Sequence, residues 1–146
     1  MLVAAVVDAG GELIGIQRTF LDPAGTGKAK VSKAKLSLGR VSGGAIRLAP
    51  TSASLVVCEG LEDGLTLAQE LGKAVWVSAG TSNLPTMQFP AGVRAVAIGA
   101  DGDEAGRMAA EKAARAFALR GLEPRVFYPP AGFKDFNQEL QERGRA

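Results

Sequence analysis

In three places this 146-residue sequence puts acidic side chains beyond an apolar run, twice within a few residues of it and once in the loop that follows. Glu59-Gly60 follows Leu55–Cys58, with Asp63 four residues on. Asp101-Gly102-Asp103 follows Arg94–Gly99. Asp135, in the loop Lys134-Asp135-Phe136-Asn137, follows Pro124–Tyr128. If the runs are parallel strands, acids far apart in sequence meet at one sheet edge, where ligands bind in open α/β folds. Carboxylates gathered there repel one another unless a cation lies among them. Oxygen-only donors suit Mg²⁺, Mn²⁺ or Ca²⁺, and paired divalent ions are a common device for phosphoryl and nucleotidyl transfer.

Composition narrows the choice. The chain contains no His and one Cys. A Ser-His-Asp triad, a Cys-His pair, a His-bearing zinc site and an internal disulfide are therefore excluded. Proton transfer near neutral pH falls to a carboxylate. Plainer roles compete for single residues: Asp103 is placed to cap a following helix, Glu104 to complement its dipole, and Glu59 to sit in a solvated turn. Their joint placement on matching strand ends favours the site. Gly25-Thr26-Gly27-Lys28 is not a P-loop, since Asp22 and Ala29 stand where that motif needs Gly and Ser or Thr. Asp101–Gly106 opens like a calcium loop, but its twelfth position is Lys112. Cys58, inside an apolar run, reads as inert core.

The elements that must hold these residues follow from periodicity. Leu61–Leu71 is expected to be a helix with Leu61, Leu65, Ala68 and Leu71 on one face and Gly72 as its stop. Ala74–Ser78 reads as a strand, and Asp103–Arg120 as a long Ala-rich helix ended by Gly121. Strand-helix alternation of this kind builds a mostly parallel sheet with right-handed crossovers. The front reads as β: a hairpin of Leu2–Asp8 and Leu13–Phe20, a loop over Leu21–Gly27, and a short strand around Ala45–Leu48. Residues 1–50 hold seven basic and three acidic side chains, the remainder ten and twelve. Two modules are expected, a small basic β-rich one over 1–50 and a catalytic one over 51–146. Lys28, Lys30, Lys33, Lys35 and Arg40 form the candidate nucleic-acid surface; in a strand, Lys28 and Lys30 would share a face, as would Lys33 and Lys35. Phe20, Trp76 and Tyr128 are the candidate stacking residues, with Trp76 better suited to the core. No run of about 18 apolar residues is present, and Met1–Val7 lacks a basic lead and is cut by Asp8–Glu12, so a cytoplasmic chain is expected.

With these residues assembled, the back module resembles a Toprim domain, the fold shared by bacterial-type primases, type IA and II topoisomerases and some nucleases. The likeness rests on Glu59-Gly60-Leu61-Glu62-Asp63 and on Ala100-Asp101-Gly102-Asp103-Glu104-Ala105-Gly106. Lys134-Asp135-Phe136-Asn137 is similar to a loop of phage- and plasmid-type primases, as are Ile16–Asp22, Gly27-Lys28-Ala29 and Leu38-Gly39 in the front segment. The resemblance implies a Rossmann-like, mostly parallel four-stranded sheet flanked by helices. It also implies Mg²⁺- or Mn²⁺-dependent nucleotidyl transfer making RNA primers on single-stranded DNA from nucleoside triphosphates. By this likeness Glu59 is the general acid/base and also a metal ligand, Asp101 and Asp103 hold the metal, and Asp63 and Asp135 are outer or second-metal ligands. Lys134 meets a nucleotide phosphate.

A complete primase carries more than this sequence does, such as a zinc-binding module or a replicative helicase, so these are expected as partners on a longer chain. Two other readings stay open: a Toprim-type metal-dependent nuclease, and a non-catalytic single-stranded nucleic-acid-binding module. A topoisomerase fits less well, because its tyrosine nucleophile usually lies on a separate domain and Tyr128 adjoins a strand.

Overall fold

The computed structural model describes residues 1–144. The front segment forms a three-stranded antiparallel sheet in the order β1 (Leu2–Val7), β2 (Leu13–Thr19), β3 (Lys35–Gly39). Its hairpin closes where Glu12 N donates to Asp8 Oδ1 at 3.0 Å, a side-chain bond suited to a tight turn. The rest builds a five-stranded sheet from β4 (Ile46–Arg47), β5 (Ser54–Cys58), β6 (Val75–Val77), β7 (Ala95–Gly99) and β8 (Glu123–Phe127), ordered β4-β6-β5-β7-β8. Four of these strands are parallel, as expected. The fifth, β4, comes from the short strand assigned to the front module and pairs antiparallel with β6, as Ile46 opposite Val77. Helices α1 (Leu61–Leu71), α2 (Glu104–Leu119) and α3 (Phe136–Arg143) cover the sheet.

Alternation along β5 splits the core in two. Leu55 and Val57 face one way and pack with Trp76, Val96, Ile98, Ala110, Ala113 and Phe117 under α2. Val56 and Cys58 face the other way, with Val6, Leu61, Leu67, Val77 and Phe136. A strand buried on both faces is apolar at every position, which is why it reads as a continuous run.

Three expectations need correction. The inward face of α1 carries Leu61, Gly64 and Leu67, while Leu65 and Leu71 are 51% and 44% exposed. Gly64 causes this: a Cβ there would collide with Val77 Cγ2, so the helix turns its bare position inward and approaches β6 closely. The segment 28–34 is not a strand, so Lys28, Lys30 and Lys33 share no strand face with one another or with Lys35. Asp22 accepts from the Thr26 N–H and hydroxyl at 2.9 and 2.7 Å, and Ala29 N returns to Phe20 O, folding this stretch into turns. Finally, the loop around Phe136-Asn137 starts a helix, because Asp135 caps it by accepting from Gln138 N at 2.7 Å.

No helix among the described residues is long and apolar enough to cross a membrane.

Candidate active site

Three strand ends and one helix start converge at the carboxyl edge of the parallel sheet. Glu59 leaves β5, and Gly60, with extended backbone at φ −101° and ψ 146°, turns the chain into α1. Asp63 lies in the first turn of α1, where its Oδ1 accepts the Asn137 N–H at 2.9 Å and ties α1 to α3. Burial pushes the Asp63 carboxyl up, and the charges of Asp135 and Glu62 add to that against the Asn137 bond.

Asp101 follows β7 by two residues. Gly106 makes its position possible, since a Cβ there would stand 2.6 Å from Asp101 O and 2.7 Å from Asp101 Cβ. Asp103 caps α2 by accepting from Gly106 N at 2.8 Å, so the plain role and the candidate ligand role fall on one residue. The cap uses one oxygen. The loop 101–103 is fastened to the loop before α3 by Gly102 N donating to Lys134 O at 2.7 Å. That bond brings Asp135 and Lys134 to the same edge.

Burial and charge both act on Asp101. The Asp101 carboxyl is pushed from 3.8 to about 6, first by burial and then by Asp63, Glu59, Asp135 and Asp103. The four other candidate acids thus all lie within electrostatic reach of Asp101. Such mutual repulsion is what a bound cation relieves, and a donor set made only of carboxylates fits a hard divalent ion. Among the described residues, no three His, Cys, Asp or Glu side chains stand close enough to enclose an ion. The acids therefore have to turn inward to bind one together.

The basic residues are distributed differently. Lys28 and Lys35 both pair with Glu62, at 2.8 and 2.6 Å. Burial alone would raise the Glu62 carboxyl, but these two bonds outweigh it and bring it down to about 2. Lys30, Lys33 and Arg40 are exposed on the front module, and Lys134 is exposed beside the acids. Phe20 and Tyr128 are partly buried, whereas Trp76 is wholly buried and donates to Ala49 O at 3.0 Å. Cys58 is buried and its thiol is pushed well up, which keeps it unreactive.

Sequence reasoning missed two groups here. Arg107 lies over the Tyr128 ring at 4.6 Å and donates from Nε to Gly102 O at 3.3 Å, setting a cation on the acidic loop. Its position four residues after Asp103, one helical turn, was the available signal. A cleft of about 250 Å³ also runs from Glu59 and Gly60 to Gln17, Lys35 and Ser37 of the front sheet. It depends on packing between modules and left no local trace.

A search of curated protein sequences finds no match. The front segment, residues 1–48, matches the profile of a domain of unknown function, DUF7146. Among solved structures, the primase fragment of the bacteriophage T7 primase-helicase protein is 24% identical and covers 98% of this chain and 58% of its own, with a TM-score of 0.64. The DnaG primase catalytic domain bound to ssDNA gives 21%, 97%, 47% and 0.64 on the same measures. A DNA primase domain from Pseudomonas aeruginosa gives 18%, 94%, 46% and 0.64. The chain spans about half the length of these proteins, and at such identities the likeness is one of fold. The profile of the Toprim domain matches residues 54–146. That span holds all five candidate acids and four of the five strands of the central sheet, and the chain belongs to the Toprim domain family.

Proposed function

We propose that the chain is the catalytic part of a primase, joining ribonucleotides into primers on single-stranded DNA by divalent-metal-dependent nucleotidyl transfer. The observation that carries this reading is the carboxylate edge, where burial and then four neighbouring acids push the Asp101 carboxyl up to about 6. The solved neighbours support the partners, since they include a primase catalytic domain with ssDNA and a primase RNA polymerase domain with double-stranded DNA. A zinc-binding module or a replicative helicase on a longer chain is the proposed protein partner, as the T7 primase-helicase and the Aquifex aeolicus primase with its zinc-binding domain suggest. Cytoplasmic residence is proposed with the function.

Asp101 and Asp103 are the proposed Mg²⁺ or Mn²⁺ ligands, with Asp63 and Asp135 outside them. A bound divalent ion supplies charge neutralisation at the phosphates during an in-line displacement. Glu59 takes the proton of the 3′-hydroxyl as its oxygen bonds to the α-phosphorus of the incoming triphosphate and pyrophosphate leaves, a role worth about 10²–10⁴-fold for a positioned base. Lys134 holds a nucleotide phosphate beside the acids. Lys30, Lys33 and Arg40 meet template phosphates, and Lys28 and Lys35 join them once released from Glu62.

The test uses single-stranded DNA with an annealed oligoribonucleotide, labelled nucleoside triphosphates and Mg²⁺ or Mn²⁺, so that extension is read without initiation. Extension that falls about 100-fold or more in Glu59→Gln and in Asp101→Asn/Asp103→Asn supports the proposal. Metal-dependent cleavage of the strand without nucleotides would move the chain to the nuclease reading. Salt-sensitive binding that survives Glu59→Gln, with no turnover, would make it a binding module.

A further inference from the structure

Gln17 sits in the middle of β2, opposite Ala4 of β1 and Ser37 of β3. It is only 7% exposed, and its side chain crosses to the central sheet, where Nε2 donates to Ala79 O at 3.1 Å. That bond fixes the amide's orientation: the nitrogen is engaged, and the other end is an oxygen, which can only accept. This Oε1 is buried and has no partner among the described residues. A buried acceptor left unpaired is costly, so its persistence calls for an explanation.

The carbonyl that holds Gln17 is itself unusual. Ala79, at φ +60°, is the one non-glycine residue in the left-handed region among the described residues. The segment around it is held firmly. Asn83 Nδ2 donates to Ser78 O at 2.7 Å and to Gly44 O at 2.9 Å, while its Oδ1 accepts from Gly43 N at 2.8 Å. Strain retained by such surroundings gathers at functional sites. Gln17 and Ala79 also line the cleft that holds Glu59.

The cleft's chemistry selects its occupant. Its one cation, Lys35, is paired with Glu62; Glu59 only accepts, the Ser37 hydroxyl both accepts and donates, and Gln17, with its Nε2 engaged by Ala79 O, has only its oxygen left to offer. While Lys35 stays on Glu62 a phosphate is disfavoured there, whereas a neutral hydroxyl-bearing group is suited. We propose that Gln17 reads the sugar, its Oε1 accepting a hydrogen bond from a ribose 2′-hydroxyl whose nucleotide is presented to Glu59. The inference rests on the nucleotidyl-transfer reading and adds a specificity-determining residue to it. The ribose belongs either to the incoming nucleotide or to the primer terminus.

The test measures binding, not turnover, so it separates from the primase assay. In one arm, each of the four ribonucleoside triphosphates competes against its 2′-deoxy and 2′-fluoro-2′-deoxy counterparts on the full chain with Mg²⁺ and single-stranded DNA. In the other, primers on a template end in a ribo-, deoxy- or 2′-fluoro residue. The 2′-hydroxyl is a donor and acceptor, and fluorine removes the donor. The expected result is that deoxy and fluoro ligands bind about tenfold more weakly in one arm, the worth of one lost hydrogen bond to a buried acceptor. In Gln17→Met that gap narrows to within about twofold, because the thioether is at most a weak acceptor. A fluoro ligand that binds like ribose, a wild type blind to the sugar in both arms, or no binding of any ligand overturns the proposal. A folded Gln17→Met protein that keeps the gap does the same. If Gln17→Met fails to fold, the fluoro ligands on the wild type decide. Sugar discrimination without extension would leave this inference standing while the primase reading fails.

Discussion

Asp101→Asn should make the metal-free protein more stable, the opposite of what most changes at a buried polar residue do. Burial and four nearby carboxylates raise the Asp101 carboxyl from 3.8 to about 6. One pKa unit is about 1.4 kcal/mol, so the ionised side chain destabilises the fold by at most about 3 kcal/mol. The residue is only partly buried, and solvent screening reduces this to about 1–1.5 kcal/mol. The folded-state pKa lies above the unfolded one, so the folded state holds the extra proton between pH 3.8 and about 6. Stability therefore rises as pH falls through that window, and the full penalty is present above it. Asparagine keeps the shape and removes the charge. Thermal melts in EDTA at pH 8 should place the variant about 3–5 °C above the wild type, a shift in scale with a domain of this size. By pH 4 the gap should nearly close. A variant that melts at or below the wild type at pH 8, or a gap that persists at pH 4, would refute the reasoning. Burial and the neighbouring carboxylates would then not be what raises the Asp101 carboxyl.

Other expectations follow from single contacts. Glu62→Gln frees Lys28 and Lys35, and the salt dependence of single-strand binding should steepen, with the slope of log Kd against log salt growing by about 1.4 for two added phosphate contacts; an unchanged slope would show that the lysines never reach the strand. Gly106→Ala should shift Asp101 without altering any charge, so Mn²⁺ affinity falls about tenfold or more while far-ultraviolet circular dichroism keeps its helical signal. Phe117→Ala empties a fully buried site beside Phe89 and should cost about 3–5 kcal/mol in urea unfolding. A smaller loss would mean that α2 settles into the gap.

What the sequence revealed and what it hid divide along physical lines. The ends of α1 were legible because Gly72, at φ 58°, takes a left-handed stop that other residues disfavour. The central sheet was legible because strands buried on both faces show as unbroken apolar runs. Glu59, Asp101 and Asp103 could be found because they stand within a few residues of the ends of their strands. Hidden features depended on residues remote in sequence. The inward face of α1 was misread because the stripe of leucines is outvoted by one glycine pressed against Val77. Lys28 and Lys35 looked like a free basic surface, and only folding shows that Glu62 holds both. Helix α3 escaped because its eight residues are mostly polar, and its start depends on the Asp135 cap and on Asn137 N–H meeting Asp63. Gln17 carries no local signal, since its partner Ala79 lies on the other sheet.

Strand β4 has a consequence for anyone who would swap these modules between proteins. Its two residues lie within the span matched by the front family profile, residues 1–48, yet their ladder partners are Val77 and Trp76 of the Toprim sheet. Immediately before it, Ala45 bridges to Val7 of the front sheet, with Val7 N to Ala45 O at 3.0 Å and the return bond at 2.9 Å. Arg47 then covers Trp76, its guanidinium 4.1 Å from the ring centre, and grips the hairpin turn through Asp8 O at 2.6 Å. The seam suggested by sequence families and the seam of the hydrogen-bonded sheets are therefore offset. A graft cut at residue 48 would strip β6 of its neighbour and leave a bare, sticky edge open to self-association. A cut before Ala45 would keep that edge dressed while severing the tie to the front sheet. Either way recombination here has to bring along the matching hairpin, so front and back segments are best exchanged together.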